Sequence, residues 1–102
     1  MTVKLVALYT QPEDSAAFDA HYSGTHAPLV DKMPGLQRWD YATFVAAADG
    51  GDEPYYQVAE LHFADQAALD AAFASDEGKA AAADYQTFAP PGSRMFVAAV
   101  VD

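Results

Sequence analysis

A chain of 102 residues fits one domain, 1–102, with a single thin core. Its formal charge is −10, with five basic residues against fifteen acidic ones. That balance argues against nucleic acid and anionic membrane surfaces as partners, since both attract clustered Lys and Arg. Without cysteine there is no disulfide framework and no thiolate site. No apolar run approaches the ~20 residues that span a bilayer. The start, Met1-Thr2-Val3-Lys4-Leu5, lacks the basic region and apolar core of a signal peptide, so a cytoplasmic location is expected.

Residues 3–9 form a near-continuous apolar strand. After a short loop, Asp14 is suited to cap a helix that begins Ser15-Ala16-Ala17. Along this helix Phe18, Tyr22, Thr25, Leu29 and Met33 recur at spacings of three and four, a core-facing stripe. Gly24 and Pro28 fall inside it. Pro28 has no amide to donate to Gly24, so a break or restart is expected near 25–27. Pro34-Gly35 ends the helix.

Residues 36–45 read as a second strand with Trp39, Tyr41 and Phe44, and 55–63 as a third. The Gly-rich turn between them makes a long hairpin. Asp65 caps a short helix to Phe73, and another helical segment runs from Ser75 to about Tyr85. Residues 95–101 form the last strand. The order is β-α-β-β-α-β, an α+β ferredoxin-like arrangement. Neither outer strand alternates, while two helices cover only one face of such a sheet. A second copy packed sheet to sheet is the simplest cover, giving a homodimer.

His21 and His26 lie five positions apart, or about 140° around a regular helix, so a straight helix does not aim both at one point. His-Glu-x-x-His is absent, and no metal site is expected. One reading packs one histidine near the core and leaves the other at the helix break. The other gives a histidine in an apolar pocket the work of a general base or acid. Neither a Rossmann fingerprint nor a P-loop occurs, so no cofactor is expected. Glu60 and His62 share a strand face and read first as a polar contact, with a catalytic dyad as the rival. Arg38 and Asp40 share a face of the second strand and read as an ion pair.

The segment Phe18-Asp19-Ala20-His21-Tyr22-Ser23-Gly24-Thr25-His26-Ala27-Pro28-Leu29, followed by Met33-Pro34-Gly35-Leu36, resembles the EthD-like family. The resemblance extends over almost the whole chain and implies a dimeric α+β barrel with a pocket between sheet and helices. It implies His21, His26 and Tyr22 as catalytic candidates, and Tyr9, Trp39 and Tyr41 as ligand-binding candidates that depend on strand parity. It implies a small-molecule enzyme, an oxidoreductase, cyclase or isomerase, acting without cofactor on a small hydrophobic aromatic or carbonyl compound. The proposed chemistry is proton transfer by a histidine with a tyrosine as oxyanion donor. A non-catalytic accessory protein of an oxygenase or biosynthetic pathway is the alternative. Haem binding through His21 or His26 is a third, and the scarcity of basic partners for propionates weighs against it.

Overall fold

In the computed structural model, which describes residues 1–101, four strands and two helical segments follow one another in the expected order, with the helices in one layer on one face of the sheet. The elements are β1 (Val3–Thr10), α1 (Ser15–His21), a π-helical turn (Tyr22–His26), α2 (Ala27–Asp31), β2 (Arg38–Thr43), β3 (Tyr55–Phe63), α3 (Gln66–Ala74), α4 (Asp76–Phe88) and β4 (Arg94–Ala99). The sheet is antiparallel with order β2-β3-β1-β4, the ferredoxin-like topology. Each cap performs as its side chain suggests. Asp14 accepts from the Ala17 amide at 3.1 Å, Asp65 from Ala68 at 2.8 Å and Ser75 from Gly78 at 3.0 Å.

Odd-numbered strand residues face the helices. Val3, Leu5, Ala7 and Tyr9 of β1 meet Gln57, Ala59, Leu61 and Phe63 of β3 across this face, and all are buried. Leu69, Ala72 and Ala81 close over them from α3 and α4. Gly78 lets those two helices touch, since a Cβ there would lie 2.0 Å from the Ala72 carbonyl oxygen. On the opposite face Val6, Leu8, Val58 and Phe96 stand together, and among the described residues no element covers them.

Three expectations need correction. β2 is shorter than residues 36–45: its ladder runs Arg38–Thr43, with one further backbone bond at each end, Gln37 N–H to His62 O at 2.9 Å and Phe44 N–H to Tyr56 O at 2.8 Å. β4 runs Arg94–Ala99 rather than 95–101, and Met95 and Val97 on its helix side stay exposed in the single chain. Arg38 and Asp40 form no ion pair; Glu60 is bridged instead by Lys4, at 2.6 Å. Glu60 and His62 thus make no dyad, and the Lys4 hydrogen bond holds the Glu60 carboxyl below its ordinary range.

The first helix breaks where Pro28 requires it, and the break has a definite form. The amide of Ala27 bonds to the carbonyl of Tyr22, an i→i+5 closure that inserts one extra residue into the turn. The helical stripe therefore slips by one. Phe18 and Tyr22 are buried as expected, but His26 and Val30 follow them inward, while Thr25 is exposed and Leu29 half-buried. Met33 remains in the core.

Candidate functional site

The same slip answers the angular problem of the two histidines. In a π turn residues five apart come to the same side, so His21 and His26 converge where a regular helix would splay them. They converge on Asp84 of α4. His21 Nε2 lies 3.0 Å from both carboxylate oxygens, and His26 Nδ1 lies 2.9 Å from Oδ2. A carboxylate only accepts, so each of these ring nitrogens donates its proton. With Nδ1–H held by Asp84, the lone pair of a neutral His26 falls on Nε2, on the far side of its ring.

The two rings differ in environment. His26 is buried at 5 % exposure, whereas about a third of the His21 side chain meets solvent. Burial pushes the His26 pKa below the ordinary histidine value, and Asp84 only partly offsets this. His26 is therefore a neutral imidazole at pH 7, fixed in the Nε2-basic tautomer. Burial works to raise the Asp84 carboxyl, but hydrogen bonds from His26 and then His21 outweigh it and hold it low.

His26 lines a narrow apolar cleft between the sheet and α4, together with Tyr9, Tyr22, Met33, Leu61 and Tyr85. Tyr9 and Tyr22 meet edge to face at 5.5 Å, and each phenol interacts with the other. Burial drives both phenol pKa values upward, so both hydroxyls stay protonated and able to donate. The space free of side chains in the cleft holds about two waters. Phe88 packs on both imidazoles, 4.9 Å from His21 and 4.8 Å from His26 between ring centroids.

Of the remaining candidates, Trp39 and Tyr41 stand on the helix side of β2, stacked at 5.4 Å. Tyr41 touches Tyr22 at 4.6 Å, and the Trp39 indole donates to Asp31 at 2.7 Å. Neither reaches the cleft; they extend an aromatic row toward the sheet edge. Among the described residues no group of three or more His, Cys, Asp or Glu side chains is arranged to hold a metal ion; in the His21–Asp84–His26 cluster the ring nitrogens face the carboxylate rather than a shared point.

Sequence reasoning missed Asp84. A signal was present: Ala81, Asp84, Tyr85 and Phe88 share one side of α4 at helical spacing, and an acid within an apolar stripe needs an inward partner.

The EthD domain family matches residues 10–92. The chain belongs to the EthD family. It is 41 % identical over 92 residues to an uncharacterized 11.0 kDa protein from the thcB–thcC intergenic region of Rhodococcus erythropolis, covering 90 % of this chain and 88 % of that one. The solved structure of an EthD-family protein from Bacillus halodurans is 40 % identical, covers 99 % of this chain and 100 % of that one, and superposes with a TM-score of 0.93. Two more distant structures share the fold. A hydroxynitrile lyase from Passiflora edulis is 13 % identical with a TM-score of 0.80, over 99 % of this chain and 94 % of its own. A dimeric ferredoxin-like protein of unknown function from Jannaschia sp. is 19 % identical with a TM-score of 0.75, over 98 % and 100 %.

Proposed function

We propose that this EthD-family protein is a proton-transfer enzyme acting on a small, apolar aromatic or carbonyl compound. The observation that carries the reading is the His26–Asp84 pair: a buried neutral imidazole, its tautomer fixed by a carboxylate, on the wall of an apolar cleft. Asp84 holds Nδ1–H and stabilises the imidazolium that forms, leaving Nε2 to take a proton. Removal of a proton from the carbon beside a carbonyl, or from the hydroxyl of a phenol, places charge on oxygen. The Tyr22 and Tyr9 hydroxyls, kept protonated by burial, are the donors for that oxyanion. The resulting enolate or phenolate is a common starting point for isomerisation, ring closure and reaction with dioxygen.

The working unit is a homodimer. Val6, Leu8, Val58 and Phe96 form an apolar patch on an open sheet face, and Lys4, Glu60, Arg38 and His62 give one end of that face polar groups for register. A second sheet covers it by two-fold contact. The fold-sharing Jannaschia protein is dimeric. A cytoplasmic location goes with this reading, and among the described residues no helix is long and apolar enough to cross a membrane.

Turnover assays on quinones, polyketide-like rings and short-chain carbonyls test the function, with His26→Ala and His21→Ala in parallel. Loss of turnover in His26→Ala supports catalysis. Compounds that bind in the cleft but never turn over indicate the accessory, non-catalytic role instead.

A further inference from the structure

A second cavity lies against the other side of the His21 ring. It is an open groove of about 530 Å³, bounded by the loop after β1 and the loop after α4. Its floor is apolar, built by Ala17, Phe18, Phe88, Pro90 and Pro91, and Glu13 and Asp14 stand at its rim. The groove is large enough for a flat organic ligand, whereas the inner cleft holds only about two waters. What separates them is a short list of rings. Phe88 lines the groove, yet its ring also contacts Tyr9 at 5.7 Å, Tyr22 at 5.8 Å and His26 at 4.8 Å on the cleft side. Phe18 and His21 flank it on the groove wall.

We propose that the groove and the inner cleft are two halves of one ligand site, with Phe88 as the septum that sets the size of molecule admitted to His26. This rests on the reading of His26 as the reactive residue and adds how a substrate reaches it. Phe88 suits the role by position as well as by contact. It is the last residue of α4, and Ala89-Pro90-Pro91-Gly92 follows, with Gly92 at φ 87° where only glycine sits without strain. Its ring can swing without moving the helix body, unlike Phe18, which sits mid-helix and buried. The admitted ligand is flat, apolar and uncharged. None of the five Lys and Arg residues lines either cavity, while Glu13, Asp14 and the charge of −10 repel anions.

The test is binding of 2-naphthol and of 2-naphthalenesulfonate to the full chain and to Phe88→Ala, read by calorimetry and by the imidazole NMR signals. Leu69→Ala, which empties core away from either cavity, is the control. We expect Phe88→Ala to bind 2-naphthol at least tenfold more tightly, with shifts at both His21 and His26. Leu69→Ala should match the parent chain, and the sulfonate should bind more weakly than naphthol throughout. Phe88→Leu, which keeps most of the ring volume, should give a smaller gain of the same sign and stands in if the alanine variant does not fold. Unchanged naphthol affinity in a folded Phe88 variant overturns the proposal, as does tighter binding that leaves the His26 signal unmoved or that Leu69→Ala reproduces. If binding behaves as expected but no proton transfer is found with any compound, the septum stands and the enzymatic reading alone falls.

Discussion

Replacing Asp84 by Ala leaves the Nδ1–H of a buried imidazole without an acceptor. An unmet buried polar group costs about 1–3 kcal/mol, so Asp84→Ala should lower stability by that order in denaturant titration. Asp84→Asn is the finer probe. It keeps the volume but can donate as well as accept, so the Nε2-basic tautomer is no longer enforced. Its stability loss should be smaller, while the rate of proton transfer falls on the order of 10²-fold or more. The pH dependence has a definite sign. The folded pKa of His26 is depressed below the ordinary ~6.5. The basic form is therefore dominant at lower pH than in a free imidazole, and the rate should rise to half its maximum below pH ~6.5 and stay flat above it. The same shift makes the buried neutral ring a source of stability above pH ~6.5, lost as pH falls through the folded value. Comparing the parent chain with His26→Gln across pH 4–8 by thermal melts reads this directly: the difference should narrow or reverse in acid.

At the scale of elements, the caps, the strands and the break at Pro28 could be read from the sequence, because each depends on local chemistry. The target of the histidines could not. Whether positions 21 and 26 diverge or converge depends on one inserted residue in the turn, and the β-α-β spacing is indifferent to it. The strand parity of Tyr9, Trp39 and Tyr41 was likewise open, since β1 is apolar on both faces and only the pairing with β3 shows which side the helices cover. The partner, Asp84, comes from a segment 58 residues beyond His26. The π turn is also open to test. Pro28→Ala restores an amide that can donate to Gly24 and lets the regular helical register compete. We expect the His26–Asp84 hydrogen bond to weaken in that variant, seen as loss of the downfield Nδ1–H proton signal. Two glycines separate sterics from propensity. A Cβ at Gly24 meets nothing within 4 Å, so Gly24→Ala should leave stability unchanged or raise it by about 0.5–1 kcal/mol. Gly78→Ala forces apart α3 and α4 and should cost about 1–3 kcal/mol.

For the whole molecule, the question is what covers the open sheet face. Phe96, at 42 % exposure, sits on the apolar patch with Val6 and Val58 nearby. A dimer through this face should bury more than ~1,000 Å², the threshold for a specific contact. Val6→Asp puts a charge at its centre, and light scattering should then report a monomer at micromolar concentration where the parent chain is a dimer. A parent chain that scatters as a monomer would remove the dimeric barrel while leaving the His26–Asp84 site intact within one subunit.

The central claim is that His26 moves a proton, and hydrogen–deuterium exchange measures that without knowledge of the final product. Aromatic and carbonyl compounds with acidic C–H bonds are incubated with the protein in D2O and followed by proton NMR. The account predicts protein-accelerated exchange for at least one compound that binds in the cleft, reduced about 10²–10⁴-fold in His26→Gln and retained in Tyr41→Phe. Exchange that proceeds equally fast in folded His26→Gln would contradict it, as would compounds held in the cleft with no accelerated exchange at any pH from 5 to 9.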